Sequence, residues 1–117
     1  MSGYVSYRAG LAAEESICAA YRMAGHAIAA ERWRCAAGEI DLIARDKDMV
    51  IFIEVKRAKD TAAAAERLRP GQVKRLLRAA ETFLGDEPRG TDTPACFDVA
   101  LVDAMGRFEI IENALAA

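Results

Sequence analysis

Three charged residues stand in a stretch that otherwise reads as apolar strand. The segment GEIDLIARDKDMVIFIEVK, residues 38–56, carries Asp41, Glu54 and Lys56 among isoleucines, leucine, valines and phenylalanine. An ionised side chain buried in such a strand costs several kcal/mol unless it is paired or holds a metal. These residues therefore face water or do chemistry. Two carboxylates together are the oxygen set that a hard divalent cation such as Mg2+ or Mn2+ selects, with carbonyl and water oxygens completing its shell. Asp41, Glu54 and the Val55 carbonyl are the candidate metal ligands.

Spacing gives this chemistry a geometry. A two-residue turn at Lys47 and Asp48 pairs Asp46 with Met49 and Arg45 with Val50. The same register places Asp41 opposite Glu54, where Cβ atoms are about 5 Å apart. Glu54 and Lys56 are two apart and share that face. Ile43, Val50 and Phe52 lie on it too and call for burial, so the acids gather at one end of a half-buried surface. Like charges in opposition are unfavourable. Lys56 offsets part of the repulsion, and a divalent cation would offset more. The competing reading is a solvated face bearing ordinary surface charges. Glu14 adds a further acid, three, four and seven residues before Ile17, Cys18 and Tyr21 and so on their helical face. A role at the edge of the stripe, favouring the helix N-terminal dipole, is its alternative.

The elements that must position these groups follow from periodicity. A first helix is expected from about Arg8 to Met23, stopped by Gly25. HAIAAERW (26–33), GEIDLIARD (38–46) and MVIFIEVK (49–56) read as three strands. An alanine- and charge-rich loop follows. PGQVKRLLRAAETFL (70–84) reads as a helix with Pro70 at its start and an apolar stripe from Val73 to Leu84. CFDVALV (96–102) and RFEIIE (107–112) close the chain as a hairpin around DAMG. The expected fold is one α/β domain over residues 1–117, with a central mixed sheet of about five strands flanked by helices in the order α-β-β-β-α-β-β.

The 117 residues leave room for one core. No apolar run reaches the roughly 20 residues of a membrane span, and the first residues lack the apolar centre of a signal peptide. A cytoplasmic protein without a membrane partner is the expectation. Cys18, Cys35 and Cys96 form no CxxC pair, which argues for free thiols rather than a disulfide framework or zinc site. Net charge is −2, yet it is unevenly spread. In residues 58–78, Lys59, Arg67, Arg69, Lys74, Arg75 and Arg78 outnumber Asp60 and Glu66 by four. In residues 79–117, Arg89 and Arg107 stand against eight acids. A local basic patch of this kind can hold phosphates despite an acidic total. An exposed helix face is the plainer explanation.

Taken together, these residues resemble the PD-(D/E)xK nucleases of restriction-endonuclease-like fold, through Asp41, twelve intervening residues, and Glu54-Val55-Lys56. More narrowly, the chain resembles the YraN-like family. It carries that family's Gly10-x-x-x-Glu14, Gly38-Glu39-Ile40-Asp41-Leu42-Ile43, Ile53-Glu54-Val55-Lys56 and Phe97-Asp98-Val99. The pattern is also similar to archaeal Holliday-junction resolvases, homodimeric nucleases of branched DNA. The resemblance implies metal-dependent cleavage of DNA, including branched recombination or repair intermediates. Asp41 and Glu54 would hold Mg2+ or Mn2+. Lys56 would orient or deprotonate the attacking water. Glu14 would hold a metal-bound water or join the site directly. Gln72 would add a polar active-site group. Lys74, Arg75 and Arg78, with Arg57, are the candidate contacts to nucleic acid. A homodimer is a candidate assembly, since two symmetric sites would suit a branched substrate.

Three positions depart from the YraN-like pattern. Ala58 and Cys96 stand where basic residues are common, and Gln72 where lysine is common. Each change removes a phosphate contact and leaves Asp41, Glu54 and Lys56 intact. Arg57 is adjacent to Lys56 but would point to the other face. His26 reads as structural or exposed. Trp33 reads as core, with base stacking as its alternative. Three functions remain in view: a metal-dependent endonuclease, a non-cleaving nucleic-acid-binding module of the same fold, and an interaction protein with a solvated acidic face.

Overall fold

A computed structural model describes residues 3–65 and 69–114. Its main elements follow the order α-β-β-β-α-β-β: α1 (Gly3–Met23), β1 (Ala27–Cys35), β2 (Gly38–Asp46), β3 (Met49–Arg57), α2 (Thr61–Ala65), α3 (Pro70–Leu84), β4 (Ala95–Val102) and β5 (Phe108–Ile111). The short α2 is an addition, in a stretch expected to be loop. Its run of alanines has the highest helix propensity, and the Asp60 carboxylate accepts from the Ala63 N–H at 2.7 Å, capping the first turn. Glu66 and Arg67 of the basic segment lie outside the described residues. The first helix begins at Gly3 rather than near Arg8; no proline stands in residues 3–7 to stop it. It ends as expected at Gly25, whose φ of 95° lets the Gly25 and His26 N–H groups donate back to Arg22 and Tyr21 carbonyls.

The five strands form one sheet in chain order, β1-β2-β3-β4-β5. All neighbours are antiparallel except β3 and β4, which run parallel and are joined by the crossover through α2 and α3. β2 and β3 turn at Lys47 and Asp48, Lys47 taking the positive φ (58°) that a tight hairpin demands. Alternation then divides the sheet into two cores. Leu42, Ala44, Ile51, Ile53, Ala100 and Val102 meet Ala13, Ile17, Cys18 and Tyr21 of α1. Ile43, Val50 and Phe52 meet Leu76, Ala79, Ala80 and Leu84 of α3. Each large side chain so buried contributes about 1.5–3 kcal/mol. Trp33 packs edge-to-face on Phe83 at 5.4 Å, and Phe97 stacks on Phe52 at 5.1 Å. The tryptophan is thus partly buried and packs against the core on the α3 side. Among the described residues, no helix is long and apolar enough to cross a membrane.

Candidate metal centre at the open end of the central hairpin

The β2–β3 ladder runs from Asp46↔Met49 to Leu42↔Ile53, in the register expected from the sequence. The next pair would be Asp41 and Glu54, and there the main-chain pairing stops. The Val55 N–H donates instead to Asp41 Oδ2 at 2.8 Å. The carboxylate has taken the place of a strand carbonyl. β1 keeps its register past this level, from Glu31↔Leu42 to Trp33↔Ile40, with Arg32 across from Asp41 but not paired to it; the register shift of the β1–β2 pair lies earlier, between Ile28 and Ala30. Arg32 sits in the left-handed region, with φ 51°. Among the described residues, Asp41 thus has no ladder partner on β1 or on β3.

Glu54 is 6% exposed. It follows Val50 and Phe52 on the α3 face, and the first turn of α3 brings Gln72 Nε2 to its Oε1 at 3.0 Å. Lys56 Nζ lies 3.2 Å from the same oxygen. Glu14, on α1, is half-buried and accepts from Arg32 Nε at 3.1 Å. Arg32, Glu14, Glu31 and Asp41 line a small cavity of about 100 Å³. Asp41, Glu54, Lys56 and Gln72 are thus drawn together, with Glu14 at the margin under the hold of Arg32.

Charge balance in this cluster is unfavourable. The Asp41 carboxyl is pushed up to about 7, by burial first and then by the Glu54 charge, with Glu14 adding to it; the Val55 N–H pulls the other way. Burial also raises Glu54, and Lys56 opposes the rise. A hydrogen bond between the two carboxyl groups favours the shared proton on Asp41. One ammonium does not neutralise both carboxylates of the pair, while the third nearby, Glu14, has Arg32.

The donor set fits a hard divalent cation in part. Asp41, half-buried, and Glu54, buried, present carboxylate oxygens. In an antiparallel pair a residue's N–H and C=O leave from one strand edge, so the Val55 carbonyl shares the Asp41 edge. Glu14 is committed to Arg32, and among the described residues no group of three or more His, Cys, Asp or Glu side chains is disposed to hold a metal. Two carboxylates, one carbonyl and water are the set available.

The remaining candidates lie further out. Lys74, Arg75 and Arg78 are on α3, the helix that begins beside Gln72, and all three are exposed. Arg57 falls on the α1 side of the sheet, where it lines a groove with Ala12, Ser16 and Asp103; strand alternation separates it from Lys56. His26 rests beside the Tyr21 ring, 5.8 Å between centroids. All three cysteines are free. Arg32 was not foreshadowed in the sequence: an arginine between Glu31 and Trp33 carries no signal of a left-handed backbone.

A model of the uncharacterised protein family UPF0102 matches residues 13–111. A UPF0102 protein of Cereibacter sphaeroides is 60% identical over 117 residues, covering 100% of both chains. One from Ruegeria pomeroyi is 53% identical over 112 residues, 96% of this chain and 91% of the relative. A UPF0102 protein of Dinoroseobacter shibae is 38% identical over 104 residues, 89% and 78% of the respective chains. With full-length relatives and a match that spans nearly the whole fold, the chain belongs to UPF0102, the YraN-like family.

Proposed function

We propose that this protein is a Mg2+- or Mn2+-dependent endonuclease of PD-(D/E)xK type that hydrolyses phosphodiester bonds in DNA, with branched recombination or repair intermediates as its substrates. The observation that carries the reading is the Asp41–Glu54 pair: a half-buried carboxyl group against a buried one, each raised by desolvation, with one ammonium beside them. A fold tolerates such a pair where a cation completes it. Asp41, Glu54 and the Val55 carbonyl would hold the ion. When bound, it supplies Lewis-acid stabilisation of the phosphoryl oxygens and lowers the pKa of water.

The chain's own residues do the rest. Asp41 is fixed by the Val55 N–H, which leaves its second oxygen for the site. Lys56, anchored on Glu54 Oε1, is the donor that orients the attacking water and meets charge developing on the phosphate. Gln72 fixes the same carboxylate from α3. Lys74, Arg75 and Arg78 extend from Gln72 along one helix and offer phosphate contacts beside the acids.

One observation favours a second reading, a non-cleaving DNA-binding module. Gln72 and Lys56 both occupy Glu54 Oε1, leaving that oxygen less available to a cation. Linear, flapped and four-way DNA, incubated with Mg2+ or Mn2+ beside Asp41→Ala, separates the two. Cleavage by wild type alone is expected. Binding without cleavage in both proteins would overturn the nuclease reading and leave the module. Replacing Lys74, Arg75 and Arg78 by alanine should weaken binding and reduce the salt slope by roughly one for each phosphate no longer neutralised. An unchanged slope would remove α3 from the DNA interface.

A further inference from the structure

We infer that Arg32 is a positioning residue of the Asp41–Glu54 site, acting through two separable features. The first is its backbone. A left-handed φ of 51° is uncommon for a side chain other than glycine, asparagine or aspartate. Strain of this kind is kept where surrounding structure enforces it. Here it falls directly across from Asp41, between Glu31↔Leu42 and Trp33↔Ile40, where the in-register β1–β2 pair is not formed. It is also where Asp41 leaves the β2–β3 ladder to accept the Val55 N–H. The left-handed backbone at Arg32 withholds the β1 partner from Asp41 and so lets the Asp41 carboxylate turn into the site.

The second feature is the guanidinium. Its Nε holds Glu14 at 3.1 Å, and the two share a small cavity with Asp41. Glu14 already acts on Asp41 and Glu54 through its charge. Arg32 thus works as a resident cation beside the acid pair: it keeps Glu14 from becoming a third ligand and limits the affinity for a divalent ion. This consequence rests on the metal-site reading, whereas the backbone role does not.

Two substitutions separate the parts. Arg32→Asn keeps a residue that tolerates the left-handed region and removes the charge. Arg32→Val keeps no charge and places a β-branched residue where it is strained. The Val55 amide resonance reports the Asp41 contact directly. It should stay at its wild-type position in Arg32→Asn, whereas in Arg32→Val it should shift and lose exchange protection while amides of β3 near Met49 keep theirs. Mn2+ titrated onto the whole protein should bind Arg32→Asn about tenfold more tightly than wild type, the worth of one partly screened ionic contact. Arg34→Ala, which removes an exposed pair with Glu39, should match wild type in both measurements. A Val55 resonance unmoved in folded Arg32→Val overturns the backbone role. Equal Mn2+ affinity in wild type and Arg32→Asn overturns the cation role, provided Asp41→Asn abolishes that affinity. Should wild type bind no Mn2+, the cation role falls together with the metal site, and the Val55 resonance still judges the backbone role.

Discussion

Two buried carboxylates one step apart across the parallel β3–β4 pair have opposite surroundings. Asp98 of β4 pairs with Ile53, and Glu54 of β3 with Val99. Asp98 is 4% exposed. Its Oδ2 accepts from the Tyr21 hydroxyl at 2.6 Å and its Oδ1 from the Asn113 N–H at 3.0 Å. The same carboxylate raises the Tyr21 hydroxyl, after burial, and keeps the nearby Cys96 thiol protonated, with burial the larger cause there too, at about 11. Glu54 is as deeply buried, but its neighbours include Asp41. Burial alone does not separate the two. Asp98 is met by neutral donors and ties α1, β4 and the C-terminal turn together. The Asp41–Glu54 pair is met by donors too, Lys56, Gln72 and the Val55 N–H, but its two acids also face each other with one cation for the pair. A satisfied buried carboxylate is structural, whereas a pair left short of positive charge points to a ligand.

The largest expected effect tests the structural half of this contrast. Asp98→Ala would leave the Tyr21 hydroxyl and the Asn113 N–H without their acceptor, a loss of about 2–4 kcal/mol. Asp41→Asn removes a repelling charge and should leave the metal-free protein as stable as wild type or more so. Urea unfolding measures both; comparable losses in the two variants would erase the distinction.

A smaller effect tests the ligand half. A cation that binds only the folded state adds about 2.7 kcal/mol at a hundredfold excess over Kd, several degrees in melting temperature for a domain of this size. Wild type and Asp98→Asn should both show the Mn2+ shift in calorimetry, and Asp41→Asn should lose most of it. Equal shifts in all three would make Asp41 an ordinary carboxylate.

The smallest effect is the pH dependence. With its folded pKa raised to about 7, Asp41 keeps a proton that the unfolded chain releases near pH 4. Its contribution to stability is complete below that value and is lost as pH rises through about 7. Metal-free wild type should therefore melt at a lower temperature at pH 8 than at pH 5, by more than Asp41→Asn does over the same interval. Parallel curves would show that Asp41 ionises freely.

Much of this was legible in the sequence. The hairpin was readable because a strand's side-chain period is two and its turn short, so counting from Lys47 and Asp48 sufficed to bring Asp41 to Glu54. The α3 boundaries were equally plain from Pro70 and the stripe ending at Leu84. Asp98 was visible only as part of a pattern, since its partner Tyr21 is 77 residues away. Arg32 was not visible at all, because its backbone conformation is imposed by the sheet. Arg57 shows the converse: its position on the far face follows from alternation alone.

The two-residue turn carries one consequence for the changes this chain can tolerate. Asp41 and Glu54 are kept thirteen positions apart by geometry. A single inserted residue that slipped the register would turn every side chain of β3 to the opposite face and send Glu54 towards α1. The connection between α3 and β4 bears no such constraint, because it spans the surface and fixes no pairing across the site. An inserted residue is therefore expected to be tolerated in the α3–β4 connection but not at the Lys47–Asp48 turn, so the interval between the two acids matters to the site as much as the acids themselves.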